Sequence, residues 1–280
     1  MKSIAILLTV HNRKDTTLSC LSQIKEQVYD KNNFRLVVYL VDDGSSDGTS
    51  EAVALKYPDT IIIKGDGTLF WNRGMYLAWD KAANDYDYDF YLWLNDDTFI
   101  YHDCISRLLV SSISHNNKCI IVGSCCWMKD KLKTAYGGYI NRKRISNVSI
   151  ERKCQTMNGN IVLIPRSVFK VLGNLDYSFH HGCGDFDYGY RAGKAGIDIY
   201  VSEGYFGECN RHEKVDKWAD YKLPLKKRIK AFNFNHRFED SFRLAKRHQG
   251  VIYAMTRSSS AIIHLLIPRI YDIIFGKRNL

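Results

Sequence analysis

At 280 residues, 45% of them hydrophobic, the chain can bury one large core or a core with an appendage, which excludes a disordered polymer. Its net charge of +10 is confined to one end: residues 211–280 hold 16 Lys and Arg against 6 Asp and Glu, while residues 1–210 hold 24 of each. The neutral body gives no hint of a nucleic-acid groove, and the basic tail implies either an anionic partner, such as a membrane surface or nucleic acid, or a solvated helical face.

The first residues, MKSIAILLTVHNRKD, carry too short an apolar run for a secretion signal and no small-residue cleavage site, so Ser3 to Val10 reads as a buried strand. Leu18, Leu21, Ile24 and Val28 then recur at helical spacing, with Asp15 and Thr16 as caps. A strand over Phe34 to Val41, a polar turn and a helix over Glu51 to Tyr57 repeat the pattern. Thr60 to Lys64, a helical stretch Arg73 to Ala83 and the apolar run Phe90 to Leu94 continue it. Cys119 to Cys126 and Ile161 to Ile164 read as strands, Arg166 to Leu172 and Asp185 to Lys194 as helices, and Ile197 to Val201 as a further strand. The alternation predicts an α/β fold: a Rossmann-like, mainly parallel sheet covered by helices on both faces, with ligands beyond the carboxyl ends of its strands. The charge shift places a boundary at Asn210, giving a domain over 1–210 and a basic, amphipathic helical extension over 211–280. Eight cysteines without C-x-x-C spacing read as reduced thiols of a cytoplasmic protein.

Two acidic clusters terminate apolar runs: VVYLVDDGSSDGT delivers Asp42 and Asp43, and FYLWLNDDT delivers Asp96 and Asp97, to the ligand-binding edge. One such cluster is ordinary turn chemistry; two in register are harder to dismiss. Adjacent carboxylates repel each other and any phosphate unless a cation lies between them. Oxygen ligands without His or Cys suit Mg²⁺ or Mn²⁺, with a nucleoside diphosphate completing the shell. Neither a P-loop nor a dinucleotide fingerprint is present, since Gly65 and Gly67 fail G-x-G-x-x-G. A third stretch, GCGDFDYGYR, sets Asp185 and Asp187 at a helix start. At about 100° per residue they diverge by roughly 200° and cannot face one substrate. Asp187 is placed for an ion pair with Arg191 one turn later, and Asp185 is left to face the cleft.

These residues resemble those of the family 2 glycosyltransferases, an inverting, nucleotide-sugar-dependent class of the GT-A fold, over roughly residues 3–211. The resemblance implies that Thr9, Val10, Asn12 and Arg13 of the TVHNR segment border the nucleotide base, and that Asp43, with Asp42, contacts the base or ribose. It implies that Asp96 faces the ribose and diphosphate and that Asp97 holds Mn²⁺ or Mg²⁺. In GDGTLFWNRGM, Asn72 and Arg73 fall on the donor-side segment, where Phe70 and Trp71 read equally as core aromatics or sugar-stacking rings. Asp185 falls on the catalytic base of an E-D-x-D-L element whose Glu is here Gly184. With an ordinary pKa of about 3.9 it is ionised at neutral pH and ready to take a proton from an attacking sugar hydroxyl. Asn158, Gly159, Asn160, His180 and His181 are acceptor-side candidates. The family's further metal-binding His has no clear counterpart, GECNRHE offering Glu208 and His212. The donor would be a UDP-, dTDP- or GDP-sugar and the acceptor a glycan or lipid-linked glycan of bacterial surface-polysaccharide assembly. Such an enzyme would be cytoplasmic, on the inner face of the plasma membrane.

Rival readings are a nucleotidyltransferase acting on a sugar phosphate, which would release pyrophosphate, and a basic membrane- or nucleic-acid-binding module, which leaves the three acidic sites unexplained. Gly44, Ser46 and Gly48 satisfy G-x-S-x-G, but Ser46 lies five residues past Val41, behind two aspartates, unlike a nucleophile elbow. In the tail, Lys226, Lys227, Arg228, Lys230, Arg243, Lys246 and Arg247 precede AIIHLLIPRIYDIIF, Ala261 to Phe275. At 15 residues, interrupted by Pro268 and Arg269, that stretch cannot span a bilayer needing about 20. His264, Pro268 and Asp272 gather polarity on one side, which predicts a helix lying on a membrane, against packing on the catalytic domain or a homodimer contact.

Overall fold

The computed structural model describes residues 1–146, 148–210, 217–232 and 236–275. The chain divides into two compact units: Met1–Ser178 with Gly184–Arg211, and Phe179–Cys183 with His212–Leu280.

In the first unit, β1 (Lys2–Val10), α1 (Lys14–Lys25), β2 (Phe34–Asp42), α2 (Thr49–Lys56), β3 (Ile61–Lys64), α3 (Phe70–Asp85) and β4 (Phe90–Leu94) alternate. Their strands lie in the order β3-β2-β1-β4, all parallel. After β5 (Thr98–Ile100) and α4 (Cys104–Ser114) come β6 (Ile120–Trp127), β7 (Asp130–Tyr136), β8 (Gly138–Ile140), β9 (Lys143–Arg144), β10 (Arg152–Cys154), β11 (Thr156–Met157) and β12 (Ile161–Pro165). Helices α5 (Arg166–Leu172) and α6 (Gly184–Lys194) and strand β13 (Ile199–Cys209) complete the unit. The large sheet runs on from β4 through β12, β6 and β13 to β10, and β8, β9 and β11 form a small second sheet.

Why β1 is apolar throughout follows from strand alternation: Ile4, Ile6, Leu8 and Val10 face a core shared with α1 and α4, while Ala5 and Leu7 face one shared with α3 and α6. Both faces are covered, so neither needs polar residues. The registers Val10 with Asp42 and Asp42 with Lys64 align the carboxyl ends of β1 to β3. Strand β12 is antiparallel to β4, with Ile161 opposite Leu94, so the loop entering β12 arrives at that same edge.

Several local expectations need correction. Helix α1 begins at Lys14 behind Arg13, with no side-chain cap, so Asp15 and Thr16 are first-turn residues and not caps. Val28 lies beyond the helix and is exposed. The strand expected to stop at Val201 continues to Cys209 as β13. Its Ser-Glu-Gly interior is an irregularity within the ladder, with Gly204 at φ +81°, a conformation that favours glycine. Among the described residues no two cysteines form a disulfide.

The second unit contains α7 (Leu225–Phe232), α8 (Arg237–Gln249), α9 (Val251–Leu266) and α10 (Pro268–Phe275). The stretch expected as one helix from Ala261 is therefore the end of α9 and all of α10, broken at Ile267 before Pro268, as the missing N–H requires. His264 is buried, stacked on Tyr271 with ring centroids 4.3 Å apart and set edge-on to Trp218. Arg228, counted in the sequence with the surface cations, is buried and donates to the Leu265 carbonyl at 2.6 Å.

Candidate active site

The turn after β4 places Asp96 in the interior and Asp97 partly exposed, and Arg13 joins them. Its two terminal nitrogens donate to Asp96 Oδ1 and Asp97 Oδ2, each at 2.8 Å. Thr17 Oγ1 donates to the other Asp96 oxygen at 3.1 Å. Burial pushes the Asp96 carboxyl up to about 6 against the pull of Arg13, with the charge of Asp97 adding to the rise. Two carboxylates packed around one guanidinium are a site built for positive charge, and their oxygen-only donor set fits Mn²⁺ or Mg²⁺. Arg13 reaches them because Asn12 takes a left-handed conformation, φ +51°. Asn12 is held there by Ser45 Oγ, which accepts its N–H at 2.8 Å, and by its own Oδ1, which accepts the Ser46 N–H at 2.7 Å. Beside it, His11 Nδ1 donates to the Asp43 carbonyl at 2.6 Å.

Asp42 and Asp43 are buried, and their oxygens meet the protein's own donors. Asp42 accepts from the Ser45 N–H at 2.9 Å and from the Ser50 hydroxyl. Asp43 accepts the N–H groups of Gly67, Leu69 and Phe70, which anchors the loop into α3. Thr9 and Val10 end β1 above this turn; Thr9 packs so closely on Gly74 that a Cβ there would lie 2.1 Å from its hydroxyl. Asn72 is fully buried and donates to the Asp176 carbonyl at 2.8 Å. Arg73 donates to the Tyr177 carbonyl at 3.1 Å and lies over that ring. The structure thus sets both donor-side candidates against the 174–178 loop.

Asp185 stands in the first turn of α6. Its Oδ2 accepts the Gly159 N–H at 3.1 Å, and its Oδ1 the Phe186 N–H at 2.8 Å. Burial lifts its pKa to about 6, the two peptide donors opposing the rise. Asp187, on the other side of the helix, is fully buried and paired with Arg191 Nε at 3.0 Å. Gly184 has no room for a side chain: a Cβ would lie 1.7 Å from Asn72 Oδ1, so the family's Glu cannot occupy this backbone without moving Asn72.

The 158–160 loop connects the two acidic places. Gly159 binds Asp185, the Asn160 carbonyl accepts the Asn95 N–H at 3.1 Å, and Asn160 Nδ2 donates to Thr98 Oγ1 at 3.1 Å. Asn158 Oδ1 is buried without a hydrogen-bond partner among the described residues, which leaves an acceptor beside the loop. Trp71 also spans this region. Its Nε1 donates to Asn95 Oδ1 at 2.7 Å, and its ring leaves Gly159 no space for a Cβ, which would come within 2.3 Å. Asn95, Thr17 and Thr98 escaped the sequence reading; the adjacency of Asn95 and Thr98 to the Asp96–Asp97 pair could have flagged two of them.

Of the remaining candidates, Glu208 pairs with Lys131 at 2.7 Å and accepts from the Tyr101 hydroxyl at 3.3 Å. Across the ladder it stands opposite Phe99 of β5. His212 lies outside the described residues. His180 and His181 belong to the second unit, where their backbone N–H groups donate to Asp240.

The family model described as Glycosyl transferase family 2 matches residues 5–173. No curated protein matches in sequence. Among solved structures, S. aureus TarS 1–349 is similar over 100% of this chain and 74% of its own, at 12% identity and a TM-score of 0.57. A TarS 1–349 complex with UDP-GlcNAc is similar over 99% of this chain and 89% of its own, at 14% identity and a TM-score of 0.56. The mannosyltransferase PcManGT of Pyrobaculum calidifontis, in complex with GDP-Man and Mn²⁺, covers 98% of this chain and 76% of its own, at 16% identity and a TM-score of 0.56. At these identities the likeness shows the fold, a mixed α/β GT-A architecture with a mainly parallel central sheet.

Proposed function

The chain belongs to glycosyl transferase family 2 and is a glycosyltransferase, and on that premise we propose an inverting transfer of a sugar from a nucleoside diphosphate to a glycan or lipid-linked glycan, with Asp185 as general base. The observation that carries the reading is the setting of Asp185: a carboxylate fixed by two peptide N–H groups, its pKa raised to about 6. It is still mostly ionised at pH 7 and more basic than an ordinary aspartate. The acceptor hydroxyl gives its proton to Asp185 as its oxygen attacks the anomeric carbon, and the bond to the diphosphate breaks on the opposite face.

Asp97, with Asp96 behind it, would hold Mn²⁺ or Mg²⁺, and Arg13 would move from the carboxylates toward donor phosphate. The bound ion would neutralise the leaving diphosphate. Structural neighbours in complex with UDP-GlcNAc and with GDP-Man and Mn²⁺ support nucleotide-sugar and metal use without selecting the base, sugar or ion. Nucleoside diphosphate release from a panel of UDP-, dTDP- and GDP-sugars, with each metal, tests the proposal. Pyrophosphate release from a nucleoside triphosphate would replace it by nucleotidyl transfer.

The second unit adds a proposed membrane surface. No helix among the described residues is long and apolar enough to cross a membrane. Yet Ile263, Leu266, Ile270, Ile273 and Ile274 are all exposed on α9 and α10, Ile273 at 77%. Exposed Lys226, Lys227, Lys230, Lys246, Arg247 and Arg269 supply positive charge in the same unit. Apolar side chains at a headgroup boundary, with cations worth about 1 kcal/mol each near an anionic leaflet, make a surface helix pair. Deleting Ser258 onward would remove buried His264 and Leu265 as well, so Ile273→Asp with Ile274→Asp is the cleaner test. The double variant is expected to keep donor hydrolysis and lose cosedimentation with anionic vesicles; unchanged sedimentation would reassign the surface to protein packing.

A further inference from the structure

The second unit contains a cluster of ligating groups to which the proposed sugar transfer assigns no metal. His180, His236 and Glu239 each offer one ligand atom, and those atoms lie within 4.8 Å of one another. His180 is buried, and its ring is held from behind: Nδ1 donates to Asp240 Oδ1 at 3.0 Å. A carboxylate can only accept, so the proton sits on Nδ1 and the lone pair on Nε2, the nitrogen available to a metal. Asp240 is itself fully buried and also accepts the backbone N–H groups of His180, His181 and Gly182. The His236 ring stacks on that of His180, with centroids 3.9 Å apart and planes 10° from parallel. Glu239 lies in the first turn of α8, with Oε2 3.4 Å from His236 Nδ1 and Oε1 2.9 Å from Arg243 Nη2.

We propose that His180, His236 and Glu239 form a binding site for a zinc-class divalent transition-metal ion, with Asp240 orienting His180 from behind. The donor set decides the class: two imidazoles and a carboxylate suit zinc and its neighbours, whereas Mg²⁺ and Ca²⁺ select oxygen. Carboxylate–histidine–metal relays are the usual means of fixing such a ligand, and Asp240 with His180 is already assembled as one. The 4.8 Å spread exceeds the roughly 3.4 Å separating ligand atoms on a tetrahedral ion with bonds of about 2.0–2.1 Å. His236 and Glu239 are exposed and can close the difference by side-chain rotation, while His180 stays fixed. Three protein ligands leave a fourth position for water. The bound ion would tie the Phe179–Cys183 segment to the start of α8, and so stabilise the second unit.

Untagged, chelator-treated full-length protein titrated with Co²⁺ is expected to develop the intense visible absorption of a four-coordinate ion at one equivalent. Calorimetry with Zn²⁺ is expected to give a matching site, and Zn²⁺ to raise the melting temperature. His236→Ala and Glu239→Gln, both at exposed positions, are each expected to weaken Zn²⁺ binding by at least about tenfold and to remove the thermal shift. Asp97→Ala should leave all three signals intact, which separates this site from the catalytic metal. Zn²⁺ affinity and thermal shift unchanged in both the His236 and Glu239 variants, or Co²⁺ binding without four-coordinate absorption, would overturn the proposal.

Discussion

The turn after β4 and the start of α6 each present an aspartate to the ligand-binding edge of one sheet, and the protein treats the two differently. Asp96 and Asp97 close around the Arg13 guanidinium. Asp185 has only peptide N–H groups for company, and no cation lies against it among the described residues. Burial raises both Asp96 and Asp185 to about 6, but the counter-charge separates their chemistry. A carboxylate with a cation beside it is committed to holding positive charge. One held by neutral dipoles keeps its affinity for a proton, which is the property a general base needs.

Breaking the comparison at its base should give the largest effect. Asp185→Asn is expected to lower kcat by about 10²- to 10⁴-fold with donor affinity unchanged, measured at saturating donor and acceptor. Near-normal turnover would mean that the proton goes elsewhere. Breaking it at the cation side should act on binding first. Asp97→Ala is expected to reduce Mn²⁺-dependent affinity for the nucleoside diphosphate by more than about tenfold, or about 1.4 kcal/mol, in calorimetry with and without metal. An equal affinity in the presence of metal would remove Asp97 from the ligand set.

The division between these regions was partly legible in the sequence. Apolar runs ending in acids located the edge of the sheet, because a strand covered on both faces has to be apolar throughout and a polar cluster then marks its end. Opposed directions on one helix separated Asp185 from Asp187. Arg13 was recognised only as a donor-side residue; its bridge to Asp96 and Asp97 depends on the left-handed turn at Asn12 and on pairing between strands distant in sequence. The arrival of Asn158 to Asn160 beside Asp185 likewise depends on β12 running antiparallel, a direction that an apolar run does not encode. Helix α4, the second sheet and the inward turn of His264 were lost for the same reason: tertiary packing decides them, not local pattern.

Gly184 tests how closely the proposed base is fitted. Its missing side chain is replaced by Asn72, which is fully buried and bound to the Asp176 carbonyl. Gly184→Ala should therefore displace Asn72 and cost about 1–3 kcal/mol, read as a lower urea midpoint with an unchanged slope. An alanine variant as stable as the parent would show that Asn72 yields freely, and that the neighbourhood of Asp185 is less rigid than its contacts imply.

The smallest effect is a difference in pH dependence, and it sharpens the comparison most. Asp185 has a folded pKa near 6 against an unfolded value near 3.8, so between those pH values the folded state binds more protons than the unfolded one. Its contribution to stability is fully present below about 3.8 and is lost as pH rises through 6, an opposing slope worth roughly 1–3 kcal/mol over that interval for a partly solvated group. Asp185→Asn removes the titration. Its absolute stability also registers one amide nitrogen turned toward a peptide N–H, but that cost does not depend on pH. Relative to the parent, the variant should therefore gain stability steadily from pH 4 to pH 7, and Mn²⁺ should leave the gain unchanged. Asp96→Asn should show a gain of the same sign without metal, since Asp96 is raised in the same direction. With Mn²⁺ that gain should shrink or reverse, because the ion favours the ionised carboxylate and the asparagine cannot replace its charge. Identical metal responses from the two variants would mean that both aspartates share one cation, and the separation of base from cation site would fail.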